Sequence, residues 1–198
     1  FDGKDPRFLT HARMLEQTGL DRLEPDATIF SLDTDVLAAA LEGLPELTGA
    51  KVSRRLPGTL KIEVQERQPV AWVACRSLGI RERDRDLGLL VDSEGIPFKC
   101  ASKTLWEYAE KLPVVLVGKM GDEKIIEGTP IEHRGLNYAF ELIRIASESL
   151  VGIEKPAWVV VKDEITLEMK TLGGIHATLS YYDLNRQLTD FSKLVSHA

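Results

Sequence analysis

Three sets of residues have types and spacings that could do chemistry. Glu66 and Arg67, near the end of "RRLPGTLKIEVQERQPVAW" (54–72), set an acid beside a cation just ahead of Pro69. Asp92-Ser93-Glu94-Gly95 offers paired acids of the kind general acid–base catalysis uses. Four histidines, His11, His133, His176 and His197, supply groups that titrate near neutral pH. Each set also has a structural reading, and the spacing favours it. Neighbouring residues on a strand point to opposite faces, so Glu66 and Arg67 do not converge on one substrate. They read as a strand end at which Pro69 halts the pairing ladder and redirects the chain. The acids beside Gly95 read as a tight turn. The histidines lie far apart, with no second His or Cys at a ligand spacing. His133, in the first turn of a helix, and His176, on the polar face of a strand, are expected at the surface. The sequence holds no G-x-S-x-G elbow, P-loop, G-x-G-x-x-G after a strand or H-E-x-x-H. No catalytic, metal-ligating or cofactor-binding residue is therefore assigned, and no cofactor or small-molecule substrate is expected.

The elements that would position such residues belong to an ordinary globular chain. With 198 residues, 43% hydrophobic and 28% charged, the sequence can form one large domain or two small ones. A net charge of -6 argues against a nucleic-acid partner, which requires a basic face. The longest apolar runs, "LPVVLV" (112–117) and "AWVVV" (157–161), suit buried strands and fall well short of the roughly 18 residues that span a bilayer. The polar start, "FDGKDPR", does not read as a signal peptide.

The first third reads as helix, helix and hairpin. A helix over about 10–18, with Ala12, Leu15 and Met14 on its apolar side, stops at Gly19. "DATIFSLD" reads as a short buried segment through Ile29, Phe30 and Leu32. A second helix follows Asp33 as N-cap, with Val36, Leu37, Ala40, Leu41 and Leu44 on one face, and Gly43 and Pro45 close it. Strands at 50–54 and 60–65 flank the Pro57-Gly58 turn, with Leu60, Ile62 and Val64 facing inward.

After Pro69 the pattern becomes sheet-rich. Strands over 70–75, 87–92 and 96–100 form a meander, and the charged loop "RERDRD" (81–86) reads as a solvated tip. The meander puts Cys75 and Cys100 two strands apart, about 9–10 Å between backbones at normal strand spacing. A disulfide tolerates Cα separations up to about 7 Å, so two buried thiols are expected. A short helix (102–112) and a strand (113–118) follow. Thr129-Pro130-Ile131-Glu132 reads as a capping box. The helix it opens carries Leu136, Ala139, Phe140, Ile143, Ala146 and Leu150 inward and ends at Gly152. Three antiparallel strands (157–161, 165–170, 175–180) come next. Asp183 is expected to cap a last amphipathic helix carrying Leu184, Leu188, Phe191, Leu194 and Val195. The fold class is α+β, with a small helix-and-hairpin domain over 1–68 and a sheet-rich domain over 69–198.

The hairpin "AKVSRRLPGTLKIEVQERQPVAW", followed by "LLVDSEGIPF", resembles the FtsQ/DivIB family of bacterial cell-division proteins. The likeness extends upstream through "TGL", "IFSLD" and "LEGLPEL", and downstream through "LPVVLVG" to "ITLEMKTLGGIHATLSYYDLNRQLTDFSKL". The resemblance implies a POTRA domain closing near Gln68 and a β domain after it, with Glu66, Arg67 and Pro69 at their junction. It further implies a non-enzymatic scaffold, anchored in the inner membrane by one N-terminal helix, that gathers divisome proteins of the FtsB/FtsL type in the periplasm. The family also has a strand ahead of the first helix, for which only "PRFLT" is available here, and a further strand after the last helix, where partner binding is usually placed. Without that last strand the edge at "IHATLS" is expected to be open. Tyr181, Tyr182, Arg186 and Gln187 would then border a partner surface, Tyr and Arg being favoured at interfaces; the alternative leaves the tyrosines half-buried at a strand end. Two other readings stay in view. One is a POTRA-bearing chaperone module of outer-membrane assembly or secretion. The other is a small hydrolase, which needs a pocket joining dispersed acids to His176.

Overall fold

A computed structural model describes residues 6–24, 27–121, 124–149 and 155–196. The fold is α+β. Its chain divides into two compact units, residues 1–67 with 101–106, and 68–100 with 107–198.

In the first unit, α1 (His11–Thr18) is capped by Thr10, whose hydroxyl accepts from the Arg13 N–H, and ends at Gly19 in the left-handed conformation. Asp33 caps α2 (Thr34–Glu42) by accepting from the Asp35 and Val36 N–H groups. Both helices lie beside the hairpin of β1 (Leu47–Arg55) and β2 (Thr59–Glu66), paired from Arg55 opposite Thr59 to Leu47 opposite Glu66. The core holds Leu9, Met14, Leu37, Leu41, Leu44, Leu47, Val52 and Ile62, with Leu60 and Val64 packed against it. The apolar faces are narrower than expected. Met14 is the buried residue of α1, while Ala12 is exposed and Leu15 half-buried. Only the i, i+4, i+7 row of Leu37, Leu41 and Leu44 is fully inside around α2, and Val36, one position off that row, is 63% exposed. The segment before α2 is a turn closed by Ser31 on Thr28, and Phe30 at its crest is 69% exposed.

The second unit is built on one seven-stranded mixed sheet: β3 (Ala71–Cys75), β4 (Leu89–Val91), β5 (Pro97–Phe98), β6 (Val114–Val117), β7 (Pro156–Val161), β8 (Thr166–Thr171) and β9 (His176–Ser180), in the order β5-β4-β3-β6-β7-β8-β9. The two outer sets are antiparallel, and β6 joins them by parallel pairing to β3 and β7. One face carries Val73, Val115, Val159 and Met169 into the core with α4 (Arg134–Ser149) and α5 (Leu184–Ser196), through Leu136, Ile143 and Leu188. Gly135 allows the close approach of α4, since a Cβ there would meet the Val161 side chain at 2.5 Å. On the other face the Trp72 indole N–H donates to the Ala109 carbonyl at the end of α3 (Lys103–Ala109), 2.8 Å away. Cys75 and Cys100 are buried thiols with no disulfide between them.

Two helix starts differ from expectation. The Thr129-Pro130-Ile131-Glu132 stretch does not open α4, because Ile131 is buried and its N–H binds the Gly95 carbonyl at 3.1 Å. The cap is His133, whose Nδ1 accepts from the Leu136 N–H at 3.1 Å. Before α5, Asp183 takes φ 57°, outside the extended conformation of a capping residue. On α5, Leu188 is buried but Leu194 is 72% exposed. Leu150, Gly152 and His197 lie outside the described residues.

Candidate functional site

Glu66 and Arg67 diverge and grip different parts of the first unit. The Glu66 carboxylate accepts from three successive backbone N–H groups, Arg7 and Phe8 at 2.7 Å and Leu9 at 2.6 Å. It therefore holds the segment that places Phe8 and Leu9 in buried positions. The Arg67 guanidinium, in a residue only 9% exposed, donates to the Pro45 carbonyl at 3.0 Å and the Leu47 carbonyl at 3.1 Å, while its backbone N–H donates to Glu46. Those carbonyls lie between α2 and β1, so the planar fork of arginine closes a turn. Pro69 is buried, the Val70 N–H meets the Val91 carbonyl, and β3 begins at the next residue, Ala71. Asp92 and Gly95 form the expected turn: the Asp92 carboxylate accepts from the Glu94 and Ile96 N–H groups, and Gly95 has φ 76°.

The four residues after β9 do not share one environment. Gln187 turns inward: its Oε1 accepts from the Ser180 N–H at 2.9 Å, and its Nε2 donates to the Ser180 and Tyr182 carbonyls. Tyr181 is half-buried and stacks on Tyr138 with ring centres 4.2 Å apart. Tyr182 leans on Tyr181 from its own side and is 61% exposed. Arg186 is exposed and stands 3.9 Å from Asp190.

Arg134 is the residue that sequence reasoning missed. Its guanidinium lies over the Tyr138 and Tyr181 rings and donates to both hydroxyls, at 2.8 and 3.2 Å. The hydrogen bond to Tyr138 is the chief reason that its affinity for the proton rises further. Its spacing of one helical turn from Tyr138 was a visible signal; Tyr181 is remote in sequence.

The edge beside this cluster is open among the described residues, because β9 pairs only with β8. The Tyr181 N–H donates to Ile165, and the Ile175 carbonyl accepts from Thr171. In an antiparallel ladder the odd positions from 175 to 181 therefore face β8, and His176, Thr178 and Ser180 turn their backbone groups outward. Gln187 occupies those of Ser180. The outward groups of His176 and Thr178 are left for another strand.

His176 stands on that exposed edge with its ring against Trp158, 5.8 Å centre to centre. The carboxylates held below their ordinary range are elsewhere. Glu63 is lowered chiefly by its bond to Lys61, and Asp84 and Asp163 by turn N–H groups, first those of Leu87 and Ile165. Among the described residues no group of three His, Cys, Asp or Glu side chains could hold a metal ion, and no helix is long and apolar enough to cross a membrane.

A two-layer first unit closed by a Glu-Arg strand end, followed by a helix-backed mixed sheet, defines a POTRA-bearing α+β protein. The family model of the FtsQ-type POTRA domain matches residues 5–67. Over 181 residues, 90% of this chain and 59% of the relative, the chain is 23% identical to the cell division protein FtsQ of Syntrophotalea carbinolica. It is 36% identical over 95 residues to that of Anaeromyxobacter sp. (strain K) and 32% over 91 residues to that of Myxococcus fulvus. These two matches cover 47% and 46% of this chain and 28% of each relative. The chain thus carries an FtsQ-type POTRA domain and is similar over most of its length to cell division protein FtsQ.

Proposed function

We propose that the chain is the extracytoplasmic part of a non-enzymatic scaffold that recruits and connects cell-division proteins at the septum. Residues 1–68 serve as its POTRA domain and 69–198 as its β domain, joined through Glu66, Arg67 and Pro69. The whole protein is held in the inner membrane by a single N-terminal helix outside this chain, and its partners are divisome membrane proteins of the FtsB/FtsL type. The names of the relatives and the FtsQ-type POTRA match support this reading.

The observation that carries it is the β9 edge. A partner strand laid there would pair with the outward groups of His176 and Thr178, main-chain bonds giving affinity and alternate side chains giving selectivity. Tyr181, Tyr182 and Arg134 form an aromatic–cation rim beside it, of the composition favoured at interfaces. Of the four residues first assigned, Tyr182 and Arg186 are the ones available for contact; Gln187 acts by closing the Ser180 end and setting where pairing starts.

The test uses the direction of two neighbouring N–H groups. Thr178→Pro removes an outward donor and spares the ladder to β8, as edge strands allow. Capture of an FtsB/FtsL-type partner should fall at least tenfold, with a melting temperature near that of the parent. Ala177→Pro removes a donor that faces β8 and should lower the melting temperature itself. Retained capture by the folded Thr178→Pro protein, together with no loss in Tyr182→Ala or Arg186→Glu, would overturn the proposal.

A further inference from the structure

The charged loop after β3 is more than a solvated tip. It is locked by its own hydrogen bonds: Cys75 and Ile80 exchange two backbone bonds at 3.0 Å, Arg81 N–H binds Leu87, and Gly88 N–H binds Asp84. The Asp84 carboxylate accepts from the Asp86 and Leu87 N–H groups at 3.0 and 2.9 Å. Gly88 seals the loop, since a Cβ there would lie 2.3 Å from the Asp84 carbonyl oxygen and 2.8 Å from the Trp72 ring. A loop so fixed presents its arginines in a preorganised array.

The array forms one wall of a cavity of about 950 Å³ on the sheet face opposite α4 and α5. Its floor is apolar: Ala74, Leu116 and Val160, side by side on β3, β6 and β7. The wall carries Arg76, Arg81 and Arg83 against Glu82 and Asp84. Asp84 is engaged by its turn, and Arg83 is tied to the Leu112 carbonyl at 3.1 Å. Arg81 stands 4.0 Å from Asp84, and among the described residues the Arg76 side chain makes no hydrogen bond or ion pair. Two arginines thus border an apolar floor in a chain whose net charge is -6.

We propose that this cavity binds a short acidic peptide segment of a partner protein, with an aliphatic side chain on the Ala74–Leu116–Val160 floor and carboxylates on Arg76 and Arg81. Arginine forks suit carboxylates, and the volume fits a few residues. The floor has no aromatic ring on which a base could stack, and the acidic chain would repel an extended polyanion.

The experiment selects a random heptapeptide phage library on the purified chain and on an Arg76→Glu/Arg81→Glu variant, both checked for unchanged thermal melting. Selected peptides are then titrated into the 15N-labelled chain. The expected result is enrichment of peptides joining Asp or Glu to Leu, Ile or Val. They should shift amides at 74–84, 116–118 and 160, and bind the double variant at least tenfold more weakly. If the double variant melts early, Arg76→Gln/Arg81→Gln takes its place with the same expectation. Peptides without acids, shifts confined to other residues, or equal binding by folded variant and parent would overturn the proposal. Since β9 lies two strands from β7, shifts confined to 176–180 would sink this site and leave the β9 edge standing.

Discussion

Glu66 and Arg67 are adjacent in sequence and hold different things, which is what a strand's alternation imposes. The carboxylate gathers three N–H groups of the segment 7–9, and the guanidinium gathers two carbonyls of the turn between α2 and β1. Glutamine at 66 keeps one acceptor oxygen but adds an NH2 that cannot accept. Glu66→Gln should therefore lower stability by about 1–3 kcal/mol, the range for losing charged hydrogen bonds around partly buried donors. Lysine at 67 keeps the charge but cannot present a planar fork to two carbonyls, so Arg67→Lys should be destabilising as well. Urea denaturation measures both; midpoints equal to the parent's would show that neither side chain holds its segment.

At the scale of elements, much of the plan could be read from periodicity, and the failures have definable causes. The hairpin and its Pro-Gly turn were legible because strand alternation and turn chemistry are local. The two buried thiols followed from strand spacing alone. The cap of α4 was misread because the motif at 129–132 is locally sound, but burial of Ile131 commits its N–H to Gly95. A tertiary bond outbid a local one. The exposure of Phe30 and the placing of Arg134 against the stacked Tyr138 and Tyr181 rings depend on residues brought together by folding, so composition could not show them. The β7–β8 turn permits a test of sign. Asp163 accepts from the Ile165 and Thr166 N–H groups at 2.9 and 2.8 Å, and its carboxyl is held low chiefly by Ile165. A carboxyl lowered by folding contributes stability above its unfolded pKa, about 4, and loses it as pH falls through the folded value. Asp163→Asn keeps a turn-forming side chain without the charge. The parent should melt above this variant at pH 7, and the difference should close as the pH falls below the ordinary carboxylate range. A difference independent of pH would contradict the electrostatic role.

For the whole molecule, the two units have cores built from different elements among the described residues. The first unit is a compact POTRA fold whose last residues, Glu66 and Arg67, bind it together. The second backs one face of a seven-stranded sheet with α4 and α5 and leaves the edge of β9 unpaired among the described residues. An edge of this kind is usually shortened, charged or covered to prevent unwanted pairing. Here β9 is five residues long, and Gln187 closes one end of it. What remains open among the described residues is a short length of strand, the one the proposed partner strand would use. Amide hydrogen exchange, with and without the extracytoplasmic region of an FtsB/FtsL-type partner, tests that claim most directly. The His176 and Thr178 amides should exchange quickly in the free protein and become protected in the complex, with Ser180 slow in both because Gln187 already holds it. Protection appearing at the β5 edge or in the first unit, with His176 and Thr178 still exchanging as fast as before, would contradict it.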